Sequence, residues 1–363
     1  MKTNLFYLLL LCLCPFSMNG AASERGAMHP LNQLKFVEKQ IKKKVKPYYQ
    51  AYQQLIVCAD SLLQINEHAL ADYAVPGFYQ DPKGHRANSS AFSGDAFSAY
   101  TCALAYRLSH KKVYGEKACY FLNAWGHKNK KYSDYDGELV MAYNGTAMMM
   151  AAELMNNTPV WQKADEQQFR IWVSTVYRQA VNAIRNRVNN WADWGRFGSL
   201  LCATFLEDDQ EVAENIRLIK ADLSHRIAPD GHMPEEVKRE GNGLWYTYFS
   251  LAPITASCWT IYNYTGENLF TSAKEGTLIK NGLDYLLYHV QHPEDWKWWK
   301  NPYNGHSRID QWPENLLEAM DGIYKDFRYQ QFATPYRPIT YDHHHYAWTF
   351  PTLLPLSLTD YSD

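Results

Sequence analysis

Apolar residues recur at intervals of three and four along most of the chain, for example Leu34, Val37, Ile41 and Val45, then Phe97, Tyr100, Leu104 and Leu108. Such spacing puts each set on one side of a helix. The same pattern predicts helices near residues 115–125, 138–155, 160–187, 194–206, 209–226, 244–264, 269–288, 314–326 and 345–357. Turn signals divide them: Asp81-Pro82, Asn156-Asn157, Pro229-Asp230-Gly231 and Pro302-Tyr303-Asn304-Gly305. No alternating run is long enough to demand a sheet, and neither a strict repeat nor a low-complexity linker interrupts the chain. One all-α domain over residues 23–363 is expected. Its hairpin-length helices suit a bundle, a solenoid or a toroid around a groove, and periodicity alone does not choose.

The N-terminal stretch breaks the pattern. An apolar run from Leu5 to Cys14 follows Lys2, and Gly20, Ala21 and Ala22 offer small residues at a cleavage point. The run is well short of the roughly 20 residues that span a bilayer, so residues 1–22 read as a signal peptide. Lipoprotein processing at Cys12 or Cys14 lacks the small residues that should precede the cysteine. A secreted or periplasmic monomer is expected, with no membrane association once the signal is removed.

Charge narrows the partner. Lys and Arg total 36 against 38 Asp and Glu, which leaves no general basic field for nucleic acid. Cys58, Cys102, Cys119, Cys202 and Cys258 sit in apolar helical patterns and read as buried thiols, with one disulfide pair left open. Tyr, Phe and Trp make up 15% of the chain, an enrichment shared by sugar-stacking proteins and by large helical cores.

Candidate chemistry gathers in two stretches. VNNWADWG, residues 188–195, packs two amides beside two tryptophans. APDGHMPEEVKREGNGLWYTYFSLAP, residues 228–253, leads from a turn into a helix that opens with Leu244, Trp245, Tyr246 and Tyr248. Arg239 stands seven residues before Tyr246, and a guanidinium beside a phenol favours the phenolate, the form that takes a proton. Lys83, His85 and Arg86 form a local basic cluster suited to carboxylates. Trp191, Trp194, Trp298 and Trp299 are candidate stacking platforms, with Lys297 and Lys300 adding charge. No HExxH pair, nucleophile elbow, phosphate-binding glycine loop or CxxC is present, and no metal or cofactor is expected.

Between Phe78 and Phe270 the chain resembles the alginate lyase superfamily of helical-toroid polysaccharide lyases, families 5 and 38. The likeness rests on DPKGHR at 81–86 with the helix DAFSAYTCALAYRLS, KACYFLNAW at 117–125, NNWADWG at 189–195 and DGHMPEE...R...LWYTYFSL at 230–251. It implies an incomplete (α/α) toroid around a cleft and β-elimination of an anionic 1,4-linked uronan. In that reaction a base removes the C5 proton, the C4 oxygen leaves, and the C6 carboxylate must be neutralised. By resemblance Asn190 neutralises the carboxylate, Arg239 assists, and Tyr246 moves the protons. A helix entrance after Ala192 would add free backbone N–H groups. Asn189, Trp191, Trp194, Tyr248, Lys83, His85 and Arg86 are the expected substrate contacts.

Where family 5 carries histidine after the paired asparagines this chain has Trp191, and Asp193 replaces the next aromatic. With D-mannuronate or D-glucuronate the C5 proton and leaving oxygen are syn, so one tyrosine serves both steps; L-guluronate needs a second group. Poly-mannuronate or glucuronan is therefore the expected substrate. His85, His306, His343, His344 and His345 stay open as a second base. Two other readings stand beside the lyase: a glycoside hydrolase using Asp193 with Glu235 or Glu236, and a non-catalytic glycan-binding protein.

Overall fold

A computed structural model describes residues 26–302 and 312–361. The expected signal peptide and His306 lie outside the described residues. After α1 (Leu31–Lys42) and α2 (Tyr48–Leu62) the chain forms successive hairpins. These are α3 (Pro82–Ser109) with α4 (Lys112–Lys128), then α5 (Gly137–Met155) with α6 (Lys163–Trp172) and α7 (Arg178–Ile184). Next come α8 (Asn190–Leu206) with α9 (Asp209–Arg226), the short α10 (Pro234–Val237), and α11 (Gly243–Thr265) with α12 (Glu275–Gln291). Finally α13 (Glu314–Tyr324) packs on α14 (Phe327–Ala333).

The first helix of each hairpin packs on the first helix of the next, α3 on α5, α5 on α8 and α8 on α11, while α4, α6, α9 and α12 pack outside. Sequence explains the two layers. In α5 every residue from Val140 to Ala152 is buried, and in α11 every residue from Thr247 to Ile261. A helix covered all round belongs inside. Outer α9 instead buries Val212, Asn215, Ile219, Leu223 and Arg226, a single stripe at three- and four-residue spacing. Small residues let the layers close up: a Cβ on Gly145 would fall 2.1 Å from the Tyr177 ring, and one on Gly198 would fall 2.5 Å from Val181. The result is an all-α toroid, as expected.

Four details differ from the periodic reading. The predicted helix 160–187 contains a π turn at Val173–Tyr177, which swings the Tyr177 ring inward so that its hydroxyl donates to Ala142 O at 2.9 Å. Residues 345–357 are not helical, because Pro351 and Pro355 deny the backbone donors a helix needs. This coil fills the gap between α3 and α11: Tyr346 Oη meets Ser93, and Trp348 Nε1 donates to Thr255. Helix α2 has no counterpart among the helices that the spacing predicts. A two-stranded parallel pair, β1 (Asp72–Ala74) with β2 (Lys131–Ser133), also forms despite the absence of any long alternating run. No helix among the described residues is long and apolar enough to cross a membrane. Cys58, Cys102, Cys119, Cys202 and Cys258 are all unpaired thiols.

Candidate active site

The inner helices run the same way round the ring, so their N-terminal turns gather at one end. There they enclose a cleft of about 920 Å³, lined by His85, Arg86, Ser89, Ser90 and Ser93 of α3, Leu139, Val140, Tyr143 and Asn144 of α5, Asn190 and Trp191 of α8, and Trp245, Tyr246 and Phe249 of α11. Helix N-termini carry the positive end of the backbone dipole, which suits an anionic ligand. The loops that follow the β pair shape one rim, with Gly77 to Gln80 after β1 and Tyr135 and Asp136 after β2. Asp136, at the start of α5, accepts from Phe78 N at 2.7 Å and thereby fixes the loop that carries Tyr79.

Arg239, Tyr246 and Tyr79 meet in this cleft. Arg239 Nη2 donates to Tyr79 Oη at 2.6 Å and to Tyr246 Oη at 3.4 Å, and the two hydroxyls lie 3.3 Å apart. The guanidinium also sits 4.3 Å from the centroid of the Tyr246 ring. The 3-10 turn Glu240–Asn242 between Arg239 and α11 folds the seven-residue spacing into this contact. Burial pushes the Tyr246 phenol above its ordinary value, and Arg239, which pulls it down, does not compensate. The expectation of a ready phenolate is thus corrected: desolvation outweighs the guanidinium, and Tyr246 rests as a neutral phenol whose first aptitude is to donate.

Across the cleft Asn190 is fully buried. Its backbone N and its side-chain Nδ2 both donate to Glu236, at 2.7 and 2.8 Å. Asn189 is the N-cap of α8 and accepts from Trp191 N at 3.3 Å. The helix therefore begins at Asn190, not after Ala192, and its first N–H groups are taken by Glu236 and Asn189 instead of being free for a substrate carboxylate. Buried donors do not stay empty, and this end recruits its acceptors from within the protein. Burial lifts the Glu236 carboxyl to about 7, against the opposing pull of Asn190 and Arg226.

The other expected contacts divide. Trp191 lines the cleft beneath the Arg187 guanidinium, 3.9 Å from its ring, with Tyr135 edge-on beside it. His85 and Arg86 also line it. His85 Nδ1 is held by Pro76 O at 3.0 Å and Asp136 Oδ2 at 3.2 Å, which leaves Nε2 as the ring's other nitrogen. Lys83 is exposed and outside the lining, one turn too early on α3. Trp194 and Tyr248 are corrections, for both have no exposed surface. Trp194 packs on Tyr143, Phe197, Phe249 and His345, and Tyr248 Oη donates to Asn315 at 3.0 Å. Tyr248 faces the core because it lies two residues beyond Tyr246, on the other side of α11, whereas Trp194 shares a face with Asn190 but sits one turn further along α8, beneath the cleft lining. Trp298 packs on His232 and bonds to Tyr285, and neither it nor Trp299 lines the cleft.

Among the histidines, His344 lines the cleft against Tyr143 and Trp245, half-exposed His343 lies at its edge beside Asp342, and His345 is buried with its basicity suppressed. The hydrolase pair does not assemble. Asp193 is buried in an ion pair with Arg226 and accepts from Ser250, Glu235 pairs with Lys238, and Asp136 is the acidic side chain in the cleft lining among the described residues. Tyr79, Arg187 and Glu236's grip on Asn190 escaped the sequence reading. Tyr79 lies 160 residues from Arg239, and nothing local marks the partnership.

A scan of protein families matches residues 36–296 to the alginate lyase family. Among solved structures, an alginate lyase from Bacteroides ovatus aligns with a TM-score of 0.70 at 18% identity, covering 91% of this chain and 98% of that one. Alginate lyase A1-III from Sphingomonas species A1 aligns at 0.69 and 15% identity, covering 94% and 99%. A variant of A1-III complexed with tetrasaccharide aligns at 0.72 and 14%, covering 94% and 96%. At these identities the likeness is one of fold. Among curated proteins, none matches this chain in sequence.

Proposed function

Since the chain belongs to the alginate lyase family, and is thereby a polysaccharide lyase, we propose that it cleaves the poly-β-D-mannuronate of alginate, or glucuronan, by β-elimination in this cleft. The observation that carries the reading is the meeting of Tyr246, Arg239 and Tyr79 in a cleft that also holds Asn190 at the N-terminus of α8. Tyr246 Oη receives the Arg239 N–H, a contact that stabilises the phenolate needed to take the C5 proton. A uronate carboxylate directed to the Asn190 side would spread the charge that forms when the C5 proton departs. Once ionised, Tyr246 Oη takes that proton from the syn face, and the phenol so formed passes it to the leaving C4 oxygen. Trp191 supports this preference: where the family carries an imidazole, this chain puts an indole under Arg187, a stacking surface with no base. His85 and Arg86 would hold a neighbouring uronate. The apolar stretch from Leu5 to Cys14 supports export, so that the substrate would be met outside the cytoplasm.

The test is ultraviolet absorbance of the conjugated double bond left on the new chain end, with poly-mannuronate, poly-guluronate, glucuronan and hyaluronan offered in turn. Signal is expected on the first and third. Reducing ends without that absorbance would identify hydrolysis, and binding without either would identify a glycan-binding protein. Tyr246→Phe, with helicity unchanged by circular dichroism, is expected to lower turnover by about 10³-fold or more.

A further inference from the structure

The grip of Glu236 on Asn190 poses a problem for carboxylate binding. An amide that stabilises an anion must offer N–H, yet the Asn190 Nδ2 already donates to Glu236 Oε2. The opposite edge, Oδ1, is buried and has no hydrogen-bond partner among the described residues. An ionised Glu236 would also cancel the positive end of α8 and repel an incoming uronate.

We propose that Glu236 is a positioning residue that sets which edge of the Asn190 amide faces the uronate. When Glu236 carries a proton, its O–H donates to Asn190 Oδ1, the amide turns over about its last side-chain bond, and NH₂ is offered to the substrate carboxylate. Oε1 keeps the backbone N–H of Asn190 throughout. One O–H···O bond replaces one N–H···O bond, and the proton comes from solvent. The inference rests on the lyase reading, because it concerns how that site accepts its carboxylate.

The surroundings favour such an exchange. Glu236 is 1% exposed on α10, and burial places its carboxyl close to neutrality. Its charged neighbours are accounted for. Asp193 on α8 pushes it up, and Arg226 on α9, itself paired with Asp193, pulls it down. Arg239 after α10 and Tyr246 on α11 both feel the Glu236 charge. Bringing a second carboxylate against the pair raises the affinity of Glu236 for its proton, so binding and protonation reinforce each other. Loss of that proton should weaken substrate binding more than turnover.

Glu236→Gln is an informative replacement, because glutamine reproduces the protonated acid: its Oε1 accepts the Asn190 backbone N–H while its Nε2 donates to Oδ1. In the full chain KM for poly-mannuronate is expected to rise about tenfold as pH goes from about 6 to about 8.5, the effect of one unit of coupling. With Glu236→Gln it should stay near the low-pH value throughout. Calorimetry of a mannuronate oligomer binding to the Tyr246→Phe protein, in buffers of different ionisation enthalpy at about pH 7.5, should report uptake of about half a proton, as a tenfold coupling requires. Uptake should fall away when Glu236→Gln is added. Infrared difference spectra of ¹³C-labelled protein supply a reading that needs no change at Glu236, since a protein carboxylic-acid band should grow on binding. His85, His343 and His344 in the cleft give no such band. Absence of the band, or a KM for Glu236→Gln that climbs in parallel with the unaltered protein, overturns the proposal. Product formation without the band removes only this role; absence of both cleavage and binding removes the lyase reading itself.

Discussion

The two edges of the cleft are built on opposite plans. On the α11 edge, Arg239, Tyr246 and Tyr79 are bound mainly to one another, and Tyr79 is 68% exposed, so these groups can exchange partners when a sugar enters. On the α8 edge, Asn190 is buried at the cleft wall and fastened twice to a carboxyl that is itself buried. Proton transfer needs hydroxyls that can reach a ligand, whereas charge neutralisation needs a donor that does not reorganise during reaction. The contrast implies that damage to the first edge appears in kcat and its pH dependence, and damage to the second in KM.

Arg239→Ala puts that division under the largest strain. It removes the charge that opposes burial at Tyr246, and kcat is expected to fall about 10²- to 10³-fold, read from initial rates at saturating substrate. A change confined to KM would break the comparison. Next in size is the alkaline dependence. With the phenol held above its ordinary value, the base form is scarce at neutral pH, so kcat should climb about tenfold per unit as pH rises below that value. A flat profile would mean that the phenolate is not the base. The smallest effect is expected from Tyr79→Phe, which deletes one hydroxyl from the triad and leaves the Arg239–Tyr246 contact; kcat should drop about fivefold with little change in KM.

Much of this arrangement could be read from the chain, for identifiable reasons. The helices were legible because an outer helix such as α9 must alternate its burial at helical spacing. Arg239 and Tyr246 were legible because a short turn and one helix opening join them. Trp191 and Trp194 have the same side chain three residues apart on one inner helix. Only the packed ring determines that the first meets the cleft and the second meets Phe249. The expectation that Tyr248 meets the substrate beside Tyr246 fails because residues two apart on a helix point to different sides. The π turn and the proline-broken C-terminal segment escaped because periodicity records neither an inserted residue nor a coil held by tertiary contacts. A reading of Glu236 as an acid for hydrolysis misses its contact with Asn190, because that partner lies 46 residues away.

The coil that bridges α3 and α11 has a consequence for how the molecule comes into being. Tyr346 reaches back 253 residues to Ser93, and Pro355 accepts from Gln33 across 322. On a ribosome, α3 and α11 would be made long before the segment that joins them. Because contacts so distant in sequence form slowly, the ring should pass through an open horseshoe whose apolar inner faces await their last strip of chain, the stage at which a chaperone would matter most.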